Sequence, residues 1–363
     1  MNKNIPYPSD SAIVQFLRGE GELKKRHAER EEVKKGILRV GSSGCVINSN
    51  EVVGADPHET LARFLGYQLP TTASQAYFDG GLDNESMWDV NIRASGADFL
   101  SEEEIPVKYQ LEDGTLITGR PDLVVGHFDD AKVFTPKHIY ELKSAQATKS
   151  AASKLLIGHA DHKHVIQAAT YAMFLNCPAS VVYTVNVSGV IGNGGRNDFF
   201  AQRDAGRKTV PFGKAEYPVS WVDGTLFFKE QGEDLETAVT QEGILDFYRG
   251  IVQMAKTKDL SLLRGSRRDI FGDMIKYYDP NDYKTFNLCC DNTLPFDEWL
   301  KIVKFVCSQD KVIKFEKKGA DKHFTVYKPD FFFDESRYYA EPQIVETFAS
   351  LEAAREFLLQ EMT

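Results

Sequence analysis

The 363 residues suffice for one large domain or about two to three small ones with a real core, and at 42% hydrophobic and 26% charged they are proportioned like an ordinary folded, soluble protein. A net charge of −10 does not favour a protein whose whole surface attracts nucleic acid, so any such contact must be a local groove or patch. No stretch approaches the ~20 apolar residues that span a bilayer, and Met1 to Pro6 lacks the apolar core of a secretory signal, so a cytoplasmic protein without a membrane partner is expected.

Residues 12–39 interleave Lys24, Lys25, Arg26, Arg30, Lys34 and Lys35 with Glu20, Glu22, Glu29, Glu31 and Glu32, which suggests a solvated helix or, alternatively, a DNA-contacting face. Gly, Ser, Asn and Asp-Pro punctuation makes residues 41–58 a loop, and His58 to Leu65 a short helix. Apolar Met87, Val90 and Ile92 beside Trp88 predict a helix over Leu82 to Ala94. Ile105 to Leu111 alternates as a strand does, Asp113-Gly114 is a hairpin turn, and Thr115 to Val125 is a second strand. Pro121 lies inside that strand and cannot donate to a ladder, so it marks an edge, bulge or bend. After a turn at Phe128-Asp129-Asp130 comes a third strand, His138 to Lys143, then an Ala-rich helix, His162 to Phe174, and a β-branched strand, Ser180 to Val187. The order is helix, three strands as an antiparallel meander, helix, strand: an α/β sandwich with a mixed sheet.

Val190 to Asn197 is glycine-rich but lacks the Lys-Ser/Thr of a phosphate-binding loop, so no nucleotide-driven motor is expected. Signals weaken beyond about residue 200. Leu235 to Lys256 and Pro295 to Cys307 read as helices, and Val312 to Thr363 as two or three strands before a helix capped by Ser350. The predicted organisation is an N-terminal helical and loop segment (1–75), a core (76–200) and an α+β region (201–363). The five cysteines, Cys45, Cys177, Cys289, Cys290 and Cys307, form no Cys-x-x-Cys pair, which speaks against a zinc ribbon or a disulfide framework.

Phosphodiester hydrolysis needs a divalent cation that holds the phosphate and acidifies a water. Such ions prefer carboxylate and carbonyl oxygens, and a lysine can stabilise the charge that develops. Glu141 and Lys143 are two apart, so a strand turns both to one face while Leu142 points away and leaves its carbonyl nearby. Asp122 lies in the neighbouring strand, where Asp is unfavourable unless it has a purpose. Antiparallel pairing can bring it beside Glu141. Taken singly, each has a plain alternative: a salt-bridged edge for Glu-x-Lys, a turn residue for Asp122.

Together, GRPDLVV at 119–125 and YELKS at 140–144, with eighteen residues between Asp122 and Glu141, resemble the PD-(D/E)XK nuclease superfamily. The likeness is to its RecB-like branch, which includes RecB nuclease domains, lambda-type exonucleases and CRISPR-associated RecB-like nucleases. The branch carries a Gln-x-x-x-Tyr on the following helix, matched by Gln167 and Tyr171, and a His or Glu on the preceding one, matched by Glu85 four residues after Gly81. Asp89 and the more distant His58-Glu59 rival Glu85. The resemblance covers roughly residues 76–190. It implies a restriction-endonuclease-like core of order αβββαβ and a Mg²⁺- or Mn²⁺-dependent DNA nuclease, an exonuclease more than an endonuclease, of recombination, repair or replication and of possible phage origin.

In that reading Asp122, Glu141, the Leu142 carbonyl and Glu85 bind metal, Lys143 acts on the phosphate or the water, and Gln167 and Tyr171 touch substrate. The alternative for the last two is helix packing. Some relatives hold an iron–sulfur cluster on four cysteines, but the spacing here does not suit one. His159, His162 and His164 match no common zinc pattern. Rival functions are a catalytically inactive nuclease-fold binding or assembly protein, and an interaction module in the C-terminal third.

Overall fold

The computed structural model describes residues 34–41, 45–48, 51–53, 57–67, 88, 90–92, 94–101, 104–105, 107–147, 159–187, 212–260, 266–277, 295–309, 312–318, 321–328, 331–333, 338–340 and 343–360. They belong to two compact units, one of Ile37–Leu61 and Asp79–Asp279, the other of Met1–Gly36, Ala62–Phe78 and Pro280–Thr363. The first holds the expected chemistry. It begins with β1 (Ile37–Arg39), β2 (Cys45–Asn48), β3 (Glu51–Val53) and α1 (Pro57–Phe64), whose last turn passes into the other unit. Residues 37–39 are therefore strand and not the end of the expected solvated helix; the rest of that stretch, Lys24, Lys25 and Arg26 included, lies outside the described residues.

The expected meander is rearranged at one point. Thr115 to Val125 is two strands, β6 (Leu116–Gly119) and β7 (Leu123–Phe128), separated at Arg120, Pro121 and Asp122. Here the bend expected of Pro121 sends the chain from one sheet to another, because proline offers no N–H to continue a ladder. β6 pairs with β5 (Val107–Gln110) and, in parallel, with β1. The β5–β6 turn is closed by Gly114 at φ 87° and by Asp113, whose Oδ1 accepts from the Thr115 N–H at 2.9 Å.

β7 instead enters a seven-stranded sheet of order β12-β11-β10-β9-β8-β7-β4. Its members are β4 (Phe99–Ser101), β7, β8 (Phe134–Ala147), β9 (Ala179–Val187), β10 (Phe212–Val222), β11 (Thr225–Glu230) and β12 (Glu233–Thr240). Only β8 and β9 run parallel, joined by a crossover through α2 (His162–Leu175). This mixed sheet carries straight past residue 200, so the boundary expected there falls inside one unit. The β10–β11 hairpin, which turns on Asp223 and Gly224 at positive φ, was not anticipated.

Alternation sorts the central strands. Phe99, Leu123, Leu142 and Val182 form a buried cluster on one face, against Trp88 and Ile92; the described residues between 88 and 95 are helical, as expected. The other face, with Ile139, Glu141, Val181 and Tyr183, meets α2. Small Ala168, Ala169 and Ala172 let that helix approach closely, and Trp221 donates to the Ala169 carbonyl at 2.8 Å. Asp161 caps α2 by accepting from the Lys163 N–H, and Asn176 ends it in the left-handed region.

Leu235 to Thr240 is strand, not helix: β-branched Val239 and Thr237 are buried at alternate positions, and the segment pairs with β11 through Leu235, Glu236 and Thr240. The helix, α3 (Gln241–Thr257), starts only after Thr240 caps it. Its Arg249 and Lys256 hold Glu112 and Asp113 of the β5–β6 turn. β13 (Ser266–Arg268) and β14 (Met274–Tyr277) complete a sheet with β3 and β2.

The second unit contains α4 (Phe296–Gln309), whose Phe296, Trp299 and Val303 are buried at helical spacing. Antiparallel β15 (Val312–Lys318), β16 (Asp321–Lys328) and β19 (Gln343–Phe348) follow, with a small β17 (Phe331–Phe333) and β18 (Tyr338–Ala340) pair. α5 (Leu351–Gln360) begins as expected at Ser350, whose Oγ accepts from the Ala353 N–H at 3.2 Å.

Candidate active site

Three side chains of the Asp, Glu and Lys pattern meet where β7 and β8 begin to diverge. Leu123 faces Tyr140 in the antiparallel register, so one step further sets Asp122 opposite Glu141. The chain has already begun to leave the sheet at Asp122, and its carboxylate completes the contact: Oδ2 accepts from the Leu142 N–H at 2.7 Å. Lys143 reaches back to both acids. Its Nζ donates to Glu141 Oε1 and stands 3.8 Å from Asp122 Oδ2. Exposure grades across the group, from 0% for the Glu141 side chain through 11% for Asp122 to 23% for Lys143. A buried carboxylate is costly without a cation beside it, so the Lys143 end, the wetter one, is where this group opens to other ligands.

The donors are of the kind a small hard cation prefers: two carboxylates and the main-chain carbonyl of Leu142, whose amide already binds Asp122. Among the described residues no group of three or more His, Cys, Asp or Glu stands together to hold a metal. Glu85 and its rival Asp89 lie outside the described residues. His58 is fully buried in α1. The two acids and the carbonyl therefore fit a magnesium-like ion in chemistry.

Tyr171 is not placed to stack on a base. It is 2% exposed, and its hydroxyl accepts from the Arg120 N–H at 3.3 Å and donates to the Arg120 carbonyl at 3.2 Å. Gln167, half-buried one helical turn earlier, hydrogen-bonds the same hydroxyl. Burial first, then the nearby charges of Glu141 and Asp122, hold the phenol well above its ordinary pKa. The ring lies so close to β6 that a Cβ on Gly119 would fall 2.5 Å from its Cε1 and 3.0 Å from the Val40 Cβ. The helix-packing alternative therefore holds for Tyr171: it clamps the Gly119–Asp122 segment that carries the acid.

Two residues near the group escaped the sequence reading, and a third, His164, was weighed there only as a zinc ligand. Arg39, exposed on β1, is delivered by the parallel β1–β6 pairing opposite Thr118, and its charge acts on Tyr171. Tyr183 is the parallel partner of Lys143 across β8 and β9. Its buried hydroxyl accepts from the Asp161 N–H at 2.9 Å and lies 3.0 Å from His164 Nδ1. Burial, then the charge of Lys143, push the His164 pKa down to about 3. No spacing rule links positions 143, 164 and 183; only the crossover does.

The three histidines considered for zinc go separate ways. His159 faces Glu230 at 3.1 Å and His162 packs edge-on against Phe271. Cys177 and Cys307 are free thiols, each pushed by burial up to about 11; Cys289, Cys290 and the Cys45 side chain lie outside the described residues. No helix among the described residues is long and apolar enough to cross a membrane. No protein-family model, curated protein or solved structure matches the chain.

Proposed function

We propose that this chain is a Mg²⁺- or Mn²⁺-dependent DNA nuclease of the PD-(D/E)XK class and its RecB-like branch, acting from DNA ends. The observation that carries the reading is the convergence of Asp122, Glu141 and Lys143 on one side of the β7–β8 junction, with the Leu142 amide tying Asp122 into the strand that bears the other two. The order of elements supports it as well: with the β5–β6 hairpin inserted between β4 and β7, the helical residues near 88–95, then β4, β7, β8, α2 and β9, run in the αβββαβ order of that core.

In this reading Asp122, Glu141 and the Leu142 carbonyl hold the metal, with Glu85 as a further ligand. Bound there, the ion supplies an acidified water and a counter-charge for the scissile phosphate. Lys143, the most exposed of the three, turns its ammonium toward a phosphate oxygen and stabilises charge there. Tyr171 and Gln167 act through the backbone of Arg120, fixing the approach of Asp122. Arg39 and Arg120, both exposed, offer guanidinium groups to the DNA backbone, a local basic patch on an acidic protein.

The test is incubation of purified protein with end-labelled linear DNA, with and without Mg²⁺, alongside Glu141→Gln. Metal-dependent shortening by the wild type, lost in the variant, is expected. DNA binding without cleavage, in Mg²⁺ and again in Mn²⁺, would leave the nuclease-fold binding protein instead.

A further inference from the structure

Beside Lys143, the start of α2 is fastened to β9 by one side chain. Tyr183 lies next to Lys143 in register, is 1% exposed, and has two hydrogen-bond contacts. The Asp161 N–H can only donate, so the Tyr183 oxygen accepts there. A buried phenol must still place its own proton, and the acceptor in reach is His164 Nδ1 at 3.0 Å. Nδ1 is thereby the acceptor of a neutral ring, and the ring's proton is on Nε2. Neutrality is enforced twice, by burial and by the Lys143 charge, with Lys163 opposing and Asp161 favouring protonation more weakly than burial disfavours it.

We propose that His164 contributes a neutral Nε2–H as a second phosphate donor beside Lys143, with Tyr183 as the positioning residue that sets its tautomer. The proposal rests on the reading of this region as a phosphodiester site. A lysine supplies charge without direction; an imidazole N–H fixed through its other nitrogen supplies direction without adding a second charge next to the first. The ligand class is a non-bridging phosphate oxygen of a DNA strand.

Two amide substitutions separate this role from a structural one. In His164→Gln the amide nitrogen can stand near the Nε2 position, whereas in His164→Asn the amide stands near Nδ1 and preserves only the Tyr183 contact. The probe is a fluorescein-labelled oligodeoxythymidine, its binding followed by anisotropy in Ca²⁺ and its cleavage in Mg²⁺, with thermal unfolding of each variant. His164→Asn is expected to weaken oligonucleotide binding about tenfold or more, as loss of a hydrogen bond to a charged group does, while His164→Gln stays near wild type. Retention by Asn with loss in Gln, or no change in either, overturns the proposal, as does a wild type that does not bind the probe. Binding without cleavage by the wild type sinks the nuclease reading alone, and the Asn–Gln contrast still judges His164.

Discussion

Gly119→Ala adds one methyl group at the most crowded point around the candidate site. The new Cβ would sit 2.5 Å from the Tyr171 ring and 3.0 Å from Val40, well inside contact distance. Tyr171 cannot simply turn away, because it is buried and its hydroxyl is engaged on both sides of Arg120. Overpacking of this kind costs about 1–3 kcal/mol, and disturbing the two hydroxyl contacts adds roughly 1 kcal/mol each if both are lost. For a unit of this size that corresponds to a melting temperature lower by about 2–20 °C. The displaced segment leads directly to Asp122, so cleavage should fall more than stability accounts for. Thermal unfolding and a cleavage assay below the transition measure the two effects. The decisive comparison is the same substitution on a Tyr171→Ala background, where the ring has gone and the added methyl should cost little. An equal cost in both backgrounds would refute the clamp.

Asp122→Asn, Glu141→Gln and Lys143→Ala should each abolish metal-dependent cleavage, with Lys143→Arg keeping a trace; full activity in either acid variant on end-labelled DNA would remove the proposed centre. The depressed His164 pKa makes stability pH-dependent in a definite direction. Above about pH 7 the ring is neutral in both states, and below about 6.5 the unfolded chain takes up a proton that the fold refuses, so stability falls toward pH 3. Urea unfolding at pH 7 and pH 5 should show a loss of about 2 kcal/mol that His164→Gln lacks; identical slopes would contradict the burial argument. Linear DNA should be degraded while covalently closed circles survive, and comparable cutting of both would replace the proposed exonuclease with an endonuclease. Purified protein should be colourless, without the absorbance or iron of a cluster.

Much of the site's chemistry is local and was legible for that reason. The two-residue period of a strand puts Glu141 and Lys143 together whatever the rest of the chain does, and Pro121 announces a bend by lacking an N–H. Tyr171 was visible as a motif, but its role was not: burial depends on Gly119 arriving from another sheet. Arg39, Tyr183 and His164 are non-local. Their positions follow from the parallel β1–β6 and β8–β9 pairings, which leave no periodic trace in the sequence. Leu235 to Thr240 was misread because its Leu and Val spacing continues into an amphipathic helix, whereas the Thr240 cap is where the period changes.

The Asp122–Leu142 hydrogen bond has a consequence for how the sheet ends. Continued by two more residue pairs, β7 would set Pro121 against Leu142, and the backbone has already departed. The Asp122 carboxylate takes the Leu142 amide in its place. The last rung of the β7–β8 ladder is thus a side chain. A residue of the proposed reaction centre is also a structural member of the sheet, so Asp122→Ala is a flawed probe of catalysis: it removes charge and unzips a rung together. Asp122→Asn keeps an oxygen for that amide and takes away only the charge. Amide exchange at Leu142 should distinguish the two, slow in the Asn variant and fast in the Ala variant.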